Sequence, residues 1–144
     1  MDMMKGGSPG QVTVEAMVAL PVLIAVAVIA VNALLLLGEC AAFDRLARDA
    51  VRANATAPAY GETASACAAR VEGDLAGRFD ASYESVSVRA EGRSPGYVRF
   101  VARLEYRPHL FGRPFSGNVF GVSLPPVAHE TALVIDPYKP GAIL

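Results

Sequence analysis

Between Ala16 and Leu37 the chain carries no charged side chain, and the residue just before that run is a glutamate, Glu15. At about 22 residues and ~1.5 Å of rise each, the run makes a helix of roughly 33 Å, enough to cross a hydrocarbon core of about 30 Å. It reads as a membrane span. An acid at its mouth needs a reason, because a carboxylate in a spanning segment costs about 2.5–3.5 kcal/mol at mid-helix and less near an end. Inside the run, Pro21 lacks an amide hydrogen, cannot bond back to the Met17 carbonyl, and is expected to bend the helix. Asn32 is the other strongly polar group within it. It suits either a helix packed among others or a lone amide tolerated in a single span.

The residues Gly10-Gln11-Val12-Thr13-Val14-Glu15-Ala16-Met17-Val18-Ala19-Leu20-Pro21-Val22-Leu23-Ile24 resemble the amino-terminal signature of TadE-like minor pilins, or pseudopilins, of the tight adherence (Flp, type IV-like) pilus system. The resemblance implies that a prepilin peptidase removes a leader of residues 1–10 by cutting between Gly10 and Gln11, which makes Glu15 the fifth residue of the mature chain. It further implies assembly through the apolar helix with other pilin subunits and the pilus assembly platform. The expected location is the cytoplasmic membrane, single-pass with an extracytoplasmic carboxy-terminal domain, and the pilus after assembly. The chain exceeds the family's short major pilins, so a minor role fits it better. Gln11 departs from the bulky apolar first residue of many type IV pilins.

A physical role for Glu15 can be argued without the family. Cleavage after Gly10 would create a cationic amine on Gln11 beside the bilayer, and Glu15 of a neighbouring subunit is placed to pair with it. Opposite charges near a low-dielectric medium attract far more strongly than in water, so the pair would set axial register between packed helices. The plainer reading is a carboxylate solvated at the headgroup boundary.

Other export signals fit less well. The leader's one basic side chain is Lys5, and Val31-Asn32-Ala33, which has acceptable small residues for a signal-peptidase cut, lies inside the apolar run. Leu37-Gly38-Glu39-Cys40 has the outline of a lipoprotein box, but Glu39 stands where a small residue precedes the lipidated cysteine. Counting positive charge runs against an exported domain, since Arg45, Arg48 and Arg52 outnumber Lys5. The acids Glu39, Asp44 and Asp49 are interleaved with those arginines, and the family resemblance implies the exported orientation. Two other readings stay open: an uncleaved single-span anchor carrying a scaffold or binding domain, and a secreted soluble binding module.

Of 144 residues, 53% are hydrophobic and the net charge is -1, a balance that argues against nucleic acid as a partner. Beyond the span, about 100 residues suffice for one small domain. The expected fold is α+β, a long helix leading to a small head at residues 58–144. Residues 11–37 would form the span and 38–57 its extracytoplasmic continuation, with Cys40, Phe43, Ala47, Ala50, Val51 and Asn54 on one stripe and Pro58 as the stop. Asp44 with Arg48 and Asp49 with Arg52 are spaced to pair on the outer face. A second helix is predicted from Thr63 to Phe79, its end blurred by Gly73 and Gly77. Cys40 and Cys67 fall on apolar stripes of the two helices, where either a disulfide or two buried free thiols is admissible.

From Glu84 the period becomes two, which predicts a small three-stranded antiparallel sheet. Val86 and Val88 mark one strand, Tyr97 to Arg107 a second, and Val127 to Ile135 a third. Val98, Phe100, Ala102, Leu104 and Tyr106 share one face of the second strand, with Arg99, Arg103, Glu105 and Arg107 on a solvated face that is also a candidate partner surface. Pro108 to Pro126 reads as an irregular connection whose Phe111, Phe115 and Phe120 are expected to cover the helix side of the sheet or, alternatively, to bind a neighbour. His109 and His129 stand apart from other metal-ligating residues, and no catalytic constellation is evident. The expectation is a protein that is not an enzyme and takes no cofactor or metal, with membrane lipid, the peptidase and pilus components as partners.

Overall fold

The computed structural model describes residues 9–55, 62–93, 96–115, 118–119, 122–123 and 125–136. Most of the leader, Pro58, Phe120 and the tail after residue 136 lie outside the described residues. The chain divides into two units, Met1–Leu35 and Leu36–Leu144.

Helix α1 spans Pro9–Ala55 without interruption. It starts two residues before the expected position 11, because proline suits the first helical position: its fixed φ is already helical and the amide it lacks would have no partner there. In the first unit the helix presents apolar side chains outward all round, from Val12 at 61% exposure to Leu34 at 69%. Its most apolar 18-residue stretch has a mean hydropathy of 2.8 and is not buried in the protein at all. By length and composition α1 is able to cross a membrane once.

Within the second unit, the end of α1 buries Phe43, Ala47, Val51 and Ala55 at four-residue steps, with Leu46 and Ala50 half-buried beside them. They pack with Cys67, Ala68, Val71 and Leu75 of helix α2, which spans Ala64–Ala76. The Thr63 hydroxyl accepts the Ala66 amide at 3.3 Å and caps the start of α2. Gly77 closes it, its amide bonding to the Gly73 carbonyl at 3.3 Å. Helix α2 therefore stops short of the expected Phe79, although Phe79 still reaches the core and meets Phe43 edge-on with ring centroids 5.6 Å apart. Asn54 bridges the two helices, donating to the Ala50 carbonyl at 3.0 Å and to Asp74 Oδ2 at 2.7 Å.

The sheet consists of β1 (Glu84–Arg93) and β2 (Tyr97–Tyr106), and after the intervening segment β7 (Val127–Ile135); their order is β1-β2-β7, all antiparallel. Phe100, Ala102 and Leu104 of β2 and Ile135 of β7 face the helices and complete the core. Strand β1 is an edge, and Glu72 of α2 blunts it by accepting the Val88 amide at 2.8 Å. On the opposite face, Arg89, Arg99 and Arg103 are matched by Glu91, Glu105 and Glu130 in five ion pairs of 2.9–3.8 Å. Val101 lies among them, 2% exposed. The arginine row is thus balanced by carboxylates rather than left as a cationic surface.

The connection expected to be irregular holds two small ladders, β3 (His109–Leu110) with β4 (Arg113–Pro114), and β5 (Asn118–Val119) with β6 (Val122–Ser123). Phe111 and Gly112 at the first tip have φ of 50° and 75°, the paired positive values of a type I′ hairpin turn. The Phe115 amide closes the base on the Pro108 carbonyl at 3.0 Å. Phe111 is 95% exposed, so it does not cover the sheet; Phe115 is half-buried.

Candidate functional site

The residues singled out at the amino terminus all sit on one element. Gly10 and Gln11 lie in the first turn of α1, Glu15 is exposed on the next, and Pro21 is inside the apolar run. First-turn amides have no intrahelical acceptor, so this turn frays most readily. The Gly10–Gln11 bond lies in that first turn. A Cβ added at Gly10 would meet nothing within 4 Å. Glycine in a helix costs about 1 kcal/mol relative to alanine, so packing gives no reason for it at this position. Farther along, Asn32 donates to the Val28 carbonyl at 3.0 Å, which satisfies part of its amide within its own helix.

The second unit places its polar groups where sequence spacing gave no sign of them. Asp44 does not pair along the helix with Arg48; its Oδ1 accepts a 2.8 Å hydrogen bond from His129 Nε2 on β7, which ties α1 to the sheet. His109 stacks on Tyr83, with centroids 3.9 Å apart and planes inclined by 21°, and its Nδ1 shares a 3.0 Å hydrogen bond with the Tyr106 hydroxyl. Each histidine joins elements that are distant in sequence. No group of three or more His, Cys, Asp or Glu side chains suited to a metal ion occurs among the described residues.

Cys40 and Cys67 are free thiols, so of the two admissible arrangements the disulfide is not the one formed. The helices explain why. Phe43, one turn beyond Cys40, packs on Phe79, past the carboxy-terminal end of α2. Cys67 is in the first turn of α2, about 14 Å of helical rise from Ala76. A disulfide needs Cα atoms about 4.4–6.8 Å apart. Burial pushes both thiols up from their ordinary value, with Asp44 and Glu39 adding at Cys40 and Glu62 at Cys67. Both are therefore poor thiolates.

Glu84 is a buried acid at 7% exposure, and no alternation pattern singled it out. Its Oε2 accepts the Asp80 amide at 2.8 Å, while Oε1 has no hydrogen-bond partner among the described residues. Burial raises its pKa above the ordinary carboxylate value; the Asp80 amide opposes the rise, and the charges of Glu39 and Asp80 add to it. A carboxyl whose folded pKa exceeds its unfolded one contributes stability that is full below the unfolded value, near 4.5, and lost as pH rises through the folded value. Glu84→Gln keeps an oxygen for the Asp80 amide and cannot ionise. It is expected to stabilise the unit by about 1 kcal/mol at neutral pH, with the advantage vanishing in acid. Melting temperatures of both proteins from about pH 4 to pH 7 measure this; parallel curves would show that burial of the Glu84 charge contributes nothing.

In comparisons with known proteins, no family model, no curated protein and no solved structure matches this chain.

Proposed function

We propose that this chain is a minor pilin or pseudopilin of a tight adherence type pilus, cut after Gly10 by a prepilin peptidase and assembled through its apolar helix. The observation that carries this reading is the placement of Gly10, Gln11 and Glu15 on the first turns of α1, directly ahead of an apolar surface left exposed among the described residues. Packing assigns no role to that surface or to Gly10, whereas a peptidase, a lipid phase and neighbouring helices would use both. A non-catalytic assembly role also agrees with polar groups in the second unit that hold elements together, as Asp44 with His129 and Tyr106 with His109 do. On this reading Pro21 and Asn32 are accommodated by neighbouring helices in the assembled filament or its base.

The test is the amino-terminal sequence of the membrane-extracted protein, read by mass spectrometry with and without its prepilin peptidase. A mature start at Gln11 that depends on the enzyme is expected. An uncut amino terminus under both conditions would refute processing and leave a single-span anchor carrying a scaffold or binding domain. A start beyond Ala33 would instead indicate a secreted module.

A further inference from the structure

The β3–β4 hairpin arises at a particular end of the second unit. Asp44 of α1 bonds His129, which stands opposite Leu104 in the β2–β7 register. Two residues farther along β2, about 7 Å, is Tyr106, whose hydroxyl holds His109, the first residue of β3. Tyr83 stacks on the same ring. Glu39 is close enough for its charge to raise the pKa values of Tyr83, Glu84 and Tyr106. The hairpin therefore springs from the end of the unit beside Glu39, two residues past Leu37, where α1 passes into its uncharged run.

The tip has the chemistry of an interfacial contact. Phe111 is 95% exposed and Leu110 41% exposed, and Arg113, which pairs with Leu110 across the hairpin, is exposed too. Arg107 lies exposed just before the hairpin. A phenylalanine held at φ 50° is an unusual conformation for a bulky side chain, and it points a ring into solvent. Aromatic and aliphatic side chains flanked by arginine are what the boundary between headgroups and acyl chains accommodates: the apolar groups enter and the guanidinium meets lipid phosphate.

We propose that the β3–β4 hairpin is a second membrane contact, in which Leu110 and Phe111 enter the interfacial layer of the bilayer beside the point where α1 leaves it, with Arg113 on lipid phosphate. The proposal rests on α1 being a membrane span. It gives the exposed ring a lipid partner and ties the second unit to the membrane surface before assembly.

The chain contains no tryptophan, so single substitutions act as local probes. Full-length Phe111→Trp, Leu34→Trp and Val134→Trp proteins are reconstituted into phosphatidylcholine/phosphatidylglycerol vesicles whose acyl chains carry bromine at shallow or deep positions. The residue at 111 is already a large aromatic in solvent, so its replacement leaves the packing intact. Expected for Phe111→Trp are an emission blue shift relative to Val134→Trp on the solvated sheet face, and a loss of intensity that is greater with shallow bromine. Leu34→Trp, within the span and about 5 Å of helical rise from its end, is quenched by bromine, more by shallow than by deep positions. Water-like, unquenched emission at position 111 while position 34 is quenched would overturn the hairpin contact and leave the span intact. A blue shift without bromine quenching would overturn it in favour of burial against protein, such as a second copy of the chain. Absence of quenching at position 34 would refute the span itself and the hairpin contact with it.

Discussion

Phe43→Ala is expected to destabilise the second unit by about 3–5 kcal/mol, the range for removing a fully buried phenylalanine. Phe43 is 0% exposed and meets Phe79 edge-on at 5.6 Å and His129 at 6.3 Å between ring centroids. It thus contacts the segment after α2 and strand β7 at once, and it lies one residue before Asp44, which bonds His129. Truncation opens a cavity where three elements converge. Domains of this size have a total stability of about 5–15 kcal/mol, so the loss is a large part of it. Thermal unfolding of the detergent-solubilised chain should show a drop in Tm of roughly 10 °C or more. Phe43→Leu, which conserves most of the volume, is expected to cost about 1 kcal/mol. An alanine variant that melts with the wild type would mean that Phe43 is not a keystone of the core.

On the proposed pilin function, Glu15→Ala is expected to leave membrane insertion intact and to cut incorporation into pili sharply. Glu15 precedes the apolar run, so its removal makes α1 more apolar and cannot weaken its hold on lipid. The loss falls on register. On the proposed function, cleavage would free an amine on Gln11 of one subunit, and its pairing with the carboxylate of Glu15 on another would be worth about 4 kcal/mol at about 4 Å and an effective dielectric near 20, against about 1 kcal/mol in water. Apolar helices otherwise slide past one another with little preference, because lipid is as apolar as they are. The expected fall in incorporation is roughly 100- to 1000-fold. Quantifying the protein in sheared pili and in the membrane fraction separates the two effects. Wild-type incorporation by the alanine variant would remove Glu15 from the assembly mechanism, and a fall in both fractions would point to a defect in insertion instead.

Elements governed by local periodicity were legible from the residues alone. The uncharged run that became the exposed part of α1, the Phe43, Ala47 and Val51 stripe, and the alternation through Val98 to Tyr106 all follow from the fixed geometry of helix and strand. So does the third strand, which spans Val127–Ile135 as expected. Local chemistry moved the boundaries: Pro9 extended α1 backwards, and the Gly77 cap ended α2 before Phe79. In the segment after Pro108, a phenylalanine in the turn position next to Gly112 hid the hairpin, since the residue usual there is asparagine, aspartate or glycine.

What the sequence by itself determined is a span-length apolar helix, the glycine and glutamate at its mouth, and an α+β order of helix, helix and three antiparallel strands. Each depends on neighbours within a few residues, where bond geometry and hydrophobic period suffice. The tertiary structure alone decided that Asp44 turns to His129 rather than Arg48, that Cys40 and Cys67 stand apart, that Glu84 is buried, and that Phe111 is not. These depend on how helices dock on a sheet. Such contacts join residues up to 85 positions apart, and no spacing rule along the chain encodes them.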